Sequence, residues 1–321
     1  RSRKDRRYLL AAAALTALLL WPAYRERAAY YRQNRAWMAE TATAVAAERE
    51  SLDALVEAIR ALPPGRVYAG LANRWGREIK VGAVPLYALL QNAGLDMVGY
   101  LYHALSLNAD LQVLFDDGRW EQYDLFNIRY VVLPQDWTVP AFYRALGDYG
   151  RFRLFEVPTG GYFELVDSDL VLAGGKEDLH QAASLWLAGS LPLAQQHPQV
   201  LLGAMPRGDA SVRPLAEAER ALAALPALPT AARGAILHQS AGAQVYEAEV
   251  QVERECALML KVGYHPRWRA TVDGAAAETI MLLPGYLGVR LPPGRQTVRL
   301  AYAPGPGRVI LMGLGALTLL L

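Results

Sequence analysis

Between Arg7 and Arg25 the chain carries no charge, and from Tyr8 to Trp21 it reads YLLAAAALTALLLW. A Leu/Ala run with no polar face has no natural place in a domain otherwise rich in charge. A bilayer accepts it. The run falls short of the roughly 20 apolar residues that a spanning helix needs, but Tyr8, Trp21 and Tyr24 can sit at the interfaces while Arg6 and Arg7 snorkel. The basic cluster Arg1, Arg3, Lys4, Arg6 and Arg7 stays cytoplasmic by the positive-inside rule. Residues from Arg25 onward are therefore expected on the extracytoplasmic side.

Two other readings compete. A cleaved signal peptide has the same basic start and apolar centre, but the run exits through Trp-Pro-Ala-Tyr-Arg-Glu-Arg with no small-x-small site. A buried helix of a soluble domain is the second. At the other end, after Pro304-Gly305-Pro306-Gly307-Arg308, the chain is apolar from Val309 to Leu321. A helix of that length rises roughly 20 Å, against about 30 Å for a hydrocarbon core, so it reads as the start of a second transmembrane helix. The first residue is Arg, and both ends read as cuts in a longer protein. The expectation is one large loop between two spans of a polytopic membrane protein.

The 321 residues, 53% of them hydrophobic, suffice for one large or two ordinary cores. Formal net charge is +2 from 33 basic and 31 acidic residues, which gives no footprint for nucleic acid. The single cysteine, Cys256, excludes an internal disulfide, and no Cys/His spacing suggests zinc. The five histidines are scattered, and no P-loop, GxSxG or GxGxxG stands at a strand-to-helix turn. No cofactor is expected.

The expected fold class is α+β and membrane-anchored: an N-terminal transmembrane helix over 1–24, a membrane-proximal helix over 25–62, and a small α/β domain over 63–187. An Ala/Pro/Leu-rich connection over 188–233, an antiparallel β-sandwich over 234–304 and a truncated transmembrane helix over 308–321 complete it. In the long helix Val45, Leu52, Leu55, Ile59 and Leu62 recur at helical spacing, and Pro63-Pro64-Gly65 ends it. Strands are expected over 66–69, 128–133, 152–157 and 162–166, an edge strand over 170–173, and helices over 85–92, 141–146, 177–187 and 215–225. Past Ala235 the period is two. Strands over 245–252, 257–262, 268–272, 279–282, 286–291 and 296–303 are separated by turn signals such as Asp273-Gly274 and Pro292-Pro293-Gly294.

The stretch Tyr264-His265-Pro266-x-Trp268-x-Ala270-x-Val272-Asp273-Gly274, followed by Leu291-Pro292-x-Gly294-x-x-x-Val298-x-Leu300-x-Tyr302-x-Pro304 and an apolar helix, resembles the C-terminal end of YfhO-type bacterial membrane proteins. That family is similar to the GT-C class of integral-membrane glycosyltransferases, which take sugars from polyprenyl-phosphate donors on the extracytoplasmic face. Upstream, Arg66-Val67-Tyr68-Ala69-Gly70, Asn73-Arg74-Trp75-Gly76 and Tyr123-x-Leu125-Phe126-Asn127-Ile128-Arg129-Tyr130 resemble the loop region of related envelope proteins. The resemblance implies a bacterial inner-membrane protein, and partners that are membrane lipids, a polyprenyl-phosphate sugar, an envelope glycan and the remaining spans of the same protein. It implies no catalytic residue here, because GT-C enzymes carry theirs on an early outer loop. Asp116, Asp117 and Asp273 inherit no role from it.

Asn73, Trp75 and Arg77 are the first ligand-binding candidates: an amide, an aromatic face for a sugar ring, and a guanidinium able to hold a phosphate bidentately. The alternative is that Trp75 plugs the core and the arginines are solvated. Tyr100 and His103 form a second candidate, with a structural histidine as the alternative. Asp116-Asp117-Gly118 reads as a turn, because adjacent carboxylates there point apart. Tyr264, His265 and Trp268 could stack a carbohydrate, but Trp268 between Arg267 and Arg269 is expected to face the core, and Cys256 to be inert. The leading function is assistance of sugar transfer from a polyprenyl-phosphate donor to an envelope glycan or lipid. The rival is a non-enzymatic, membrane-anchored glycan-binding or assembly protein. A third reading, a transporter subunit, would need charges within the spans.

Overall fold

The computed structural model describes residues 3–98, 107, 110–203, 211–225 and 232–320. Helix α1 (Arg3–Ala61) is a single unbroken helix, so the division at residue 24 is not a break in structure. Pro22 lies inside it and removes one backbone hydrogen bond, but the flanking Leu, Ala, Arg and Glu are strong helix formers. The helix stops at Ala61, two residues before Pro63 and one short of the expected end. Its apolar N-terminal part is long and apolar enough to cross a membrane by length and composition.

From Arg7 to Glu40 every side chain of α1 except Ala28 is exposed. Packing begins at Thr41. Ala44, Val45, Leu52, Leu55, Val56 and Ile59 then form the stripe that the helical spacing predicts, with Leu55 completely buried. Gly82, at φ +61°, abuts this helix so closely that a Cβ there would lie 2.5 Å from the Thr41 Cα. The Ala83 amide donates to Thr41 Oγ1 at 3.2 Å. Only glycine allows that approach.

The next segment builds β1 (Arg66–Tyr68), β2 (Lys80–Val81), β3 (Val84–Pro85), α2 (Leu86–Asn92), α3 (Trp120–Leu125), β4 (Ile128–Pro134), β5 (Arg144–Tyr149) and β6 (Phe152–Glu156). A four-stranded sheet runs β1-β4-β6-β5, with β1 parallel to β4 and the remaining pairs antiparallel. The helix expected over 141–146 is absent, and β5 occupies its second half. Pro140 opens a turn closed by Tyr143 N–H to Pro140 O at 3.0 Å, and the glycines Gly147 and Gly150 favour a hairpin onto β6.

Then come β7 (Phe163–Val166), β8 (Val171–Gly174), α4 (Lys176–Ala188), β9 (Gln199–Leu202), β10 (Val212–Pro214), α5 (Ala218–Ala223), β11 (Gly234–Ala241) and β12 (Val245–Val252). The chain ends with β13 (Cys256–Gly263), β14 (Trp268–Val272), β15 (Ala275–Ala277), β16 (Ile280–Leu282), β17 (Tyr286–Leu291), β18 (Gly294–Tyr302) and α6 (Pro306–Leu320). A seven-stranded sheet runs β10-β8-β9-β16-β17-β13-β7. In it β8 is interior, flanked by parallel β10 and β9, and not the expected edge. Its continuous apolar run, with Leu172 and Ala173 buried, is the signature of a strand covered on both faces.

This sheet takes strands from all three proposed segments 63–187, 188–233 and 234–304. The Pro-rich segment 188–233 is therefore more than a connection, since it supplies β9 and β10. A second, wholly antiparallel sheet runs β11-β12-β18-β14-β15. Its inward residues Ala248, Val250, Trp268, Val298 and Leu300 share one core with Phe163, Leu165, Leu258, Leu260, Leu287 and Val289 of the seven-stranded sheet. Asp273 and Gly274, at φ +50° and +81°, form the two-residue hairpin between β14 and β15 that their sequence predicts. The protein is α+β.

Candidate functional site

Strand β13 reads CALMLKVG, and alternation places Ala257, Met259 and Lys261 on one face. Ala257 and Met259 belong to the larger core, so Lys261 enters an apolar layer and is completely buried. A buried ammonium requires partners. They come from two directions. Glu164 on β7 stands opposite Met259, which makes it the diagonal same-face neighbour of Lys261. Asp124 closes the other side from α3.

Lys261 Nζ donates to the Asp124 carbonyl at 2.8 Å, to Asp124 Oδ2 at 3.2 Å and to Glu164 Oε2 at 3.0 Å. Its three protons are thereby spent. Glu164 Oε1 accepts from Gln195 Nε2 at 2.7 Å, and Asp124 Oδ1 from the Gly160 amide at 2.6 Å. Gln195 Oε1 accepts from Arg233 Nη1 at 2.6 Å, and Arg233 Nη2 reaches Asp167 Oδ2 at 2.7 Å. Arg254 closes the chain on Asp167 Oδ1 at 2.7 Å. Five separate stretches of sequence thus meet in one polar network.

The network floors a trench. One cavity of about 510 Å³ and an adjoining one of about 230 Å³ share Trp120, Asp124, Glu164 and Gln195 as their common wall. Trp120 lies one helical turn before Asp124 on α3, so both project from one face. Its indole N–H donates to Pro158 O at 2.8 Å, and the residue remains 43% exposed. An oriented aromatic face therefore borders a row of carboxylate and amide oxygens.

Burial pushes the Glu164 carboxyl up, but the Lys261 ammonium, helped by the Gln195 amide, more than offsets it and holds Glu164 below its ordinary value. Asp167 is likewise held low: hydrogen bonds from Arg254 and Arg233 outweigh its burial. His197 borders the smaller cavity. Its Nδ1–H donates to Leu283 O at 2.7 Å, its ring lies against Trp186, and burial pushes it down to about 4, so it is neutral at pH 7. A general acid must hold a proton near the working pH, and Glu164 holds none.

The candidates drawn from the sequence lie elsewhere. Trp75 begins a single 3-10 turn, Trp75–Arg77, and its indole N–H is taken by Asp117 Oδ2 at 2.7 Å. Its ring packs edge-on against Tyr68 and Trp137 at centroid distances of 5.2 and 5.3 Å. Beside it Gly70 and Gly76 touch so closely that a Cβ on Gly70 would lie 2.4 Å from the Gly76 Cα. Trp75 is thus half-buried against the core, with its indole N–H engaged and its ring packed edge-on. Asn73 and Arg77 are exposed. None of these three lines either cavity of the trench. Tyr100 and His103 lie outside the described residues.

Asp116-Asp117-Gly118 is the expected turn, with the Gly118 amide donating to Asp116 Oδ1 at 3.0 Å. Trp268 faces the core at 6% exposure, Tyr264 is half-buried and His265 exposed. Burial pushes the Cys256 thiol up to about 11, which leaves it un-ionised at neutral pH. Among the described residues no group of three or more His, Cys, Asp and Glu side chains is placed to hold a metal ion. Sequence reasoning missed the trench, although it left one signal: an acidic and a basic residue, Glu164 and Lys261, each inside an otherwise apolar strand. Compared with known protein families, with curated proteins and with solved structures, the chain matches none.

Proposed function

We propose that this chain is the extracytoplasmic part of a bacterial inner-membrane protein resembling GT-C glycosyltransferases, and that its trench binds an envelope glycan. In this reading α1 tethers the domain to the bilayer. The two sheets that share the second core form a β-sandwich that braces the trench. The binding assists sugar transfer from a polyprenyl-phosphate donor to an envelope glycan or lipid. The observation that carries the reading is the exposed Trp120 face beside Asp124, Glu164 and Gln195. A sugar ring stacks its C–H face on an indole and gives its hydroxyl protons to carboxylate and amide oxygens.

A second reading, a non-enzymatic membrane-anchored glycan-binding or assembly protein, rests on the same exposed Trp120 face beside carboxylate and amide oxygens. Both readings require saccharide binding. The test uses the full chain in nanodiscs, titrated calorimetrically with oligosaccharides released from bacterial envelope. Trp120→Ala should weaken binding about tenfold, equivalent to ~1.4 kcal/mol, while Trp120→Phe keeps most of it. Absence of saccharide binding by the unaltered chain, or equal binding by Trp120→Ala, would remove the trench as a glycan site. Flotation with liposomes after an alkaline wash tests the tether, and recovery of the chain in the soluble fraction would remove that part of the proposal.

A further inference from the structure

The hydrogen-bond inventory of the trench is lopsided. Lys261, at the floor, has spent its three protons on Asp124 and Glu164. Arg233 spends both Nη2 protons on Asp167 and the Ala194 carbonyl, and one Nη1 proton on Gln195. Its Nε–H is buried without a partner. A guanidinium has five protons, so one Nη1 proton is left for a ligand. Gln195 gives one amide proton to Glu164 and keeps one. Three donors remain on these side chains, one of them the buried Arg233 Nε–H.

Acceptors remain in larger number. Each of the four carboxylate oxygens of Asp124 and Glu164 accepts one hydrogen bond within the protein and keeps a second lone pair. In the smaller cavity the charged residues are Glu121, Asp124 and Glu164, with Lys261 behind them as their buried counter-ion and Arg119 only loosely beside Glu121 at 3.8 Å. His197 there is neutral at pH 7. The wall of this compartment is acidic.

A ligand that completes these groups must donate hydrogen bonds and must not bring negative charge. Hydroxyl and ammonium protons meet that requirement. In the smaller compartment, which Arg233 does not line, a phosphate offers acceptors and would set its charge against Glu121, Asp124 and Glu164. Resting on the glycan reading above, we infer that the acidic compartment of the trench selects a neutral or amino-bearing saccharide and turns away its phosphorylated form. It therefore receives the acceptor glycan, while a polyprenyl-phosphate donor binds elsewhere.

The experiment titrates the full chain in nanodiscs with three probes of equal length: maltotriose, a glucosamine trisaccharide and maltotriose phosphate. Binding of maltotriose and of the glucosamine trisaccharide is expected, the latter weakening as salt rises, because screening acts on a charge pair open to solvent. Maltotriose phosphate should bind at least about tenfold more weakly than maltotriose, and Asp124→Asn should narrow that gap while lowering affinity for the glucosamine trisaccharide. The comparison of the three probes on the unaltered chain stands even if Asp124→Asn fails to fold. Equal or tighter binding of maltotriose phosphate would overturn the inference and leave the glycan reading in place, whereas no binding of any probe would count against both.

Discussion

Replacing Lys261 by Met removes the ammonium from beneath the trench and keeps the apolar stem. Breaking one partner out of a buried ion pair typically costs about 3–5 kcal/mol. Glu164 and Asp124 keep some contact with solvent, at 14% and 22% side-chain exposure, so the lower end, about 3 kcal/mol, is expected at pH 7. For a chain of this size that is a fall in Tm of roughly 4–6 °C.

The pH dependence separates this from lost packing. In the unaltered chain Glu164 is held below its unfolded value, so it contributes stability at pH above about 4.3, which is lost as pH falls through the depressed folded value. In Lys261→Met, burial acts on Glu164 without the opposing ammonium, and its folded pKa moves above the unfolded one. The carboxyl then costs stability at pH above about 4.3, increasingly until pH passes the raised value. The deficit should be widest near pH 7 and narrow toward pH 4. Thermal unfolding of the full chain in detergent, followed by tryptophan fluorescence from pH 4 to pH 8, measures it. Lys261→Met with Glu164→Gln should recover most of the loss at pH 7. A deficit that does not change with pH, or none at all, would refute the electrostatic account of the trench floor.

Trp75→Ala should lower the yield of folded protein and its stability by about 3 kcal/mol, through loss of the aromatic contacts and of the bond to Asp117, with saccharide affinity per folded molecule unchanged by calorimetry. A selective loss of affinity would restore Trp75 to the site. Residues 235–304 expressed alone should not give a stable β fold in circular dichroism, because β13 and β16 lose β7 and β9 as partners. A cooperative thermal transition in that fragment would show that the seven-stranded sheet is dispensable for it.

What could be read from the sequence was local. The stripe Val45, Leu52, Leu55, Ile59, the buried strand over 128–133 and the Asp273-Gly274 hairpin each follow from spacing or turn chemistry within a few residues, and each is found. What escaped was non-local. Strands β9 and β10 are three or four residues long, set among prolines, and acquire their strand character from β8 and β16 across the sheet. A period cannot be seen in so few residues. The same holds for the site: Trp120, Asp124, Glu164, Gln195 and Lys261 have no motif spacing, and only the pairing of β7 with β13 and the seating of α3 bring them together. Trp75 misled because its flanking Asn and Arg suggest an open loop, whereas the fold spends its indole on Asp117.

The unbroken course of α1 gives the molecule a gearing. With the membrane placement proposed above, the stretch from Tyr24 to Glu40 stands clear of both bilayer and domain and holds the trench roughly 24 Å out from the surface, at ~1.5 Å per residue. No hinge separates the two ends, so elevation and compass bearing are locked together. One residue inserted into that stretch lifts the trench by ~1.5 Å and swings it by ~100°, whereas seven removed lower it by ~10 Å with its bearing nearly restored. The length of the shaft therefore sets both how far the trench reaches and which way it faces.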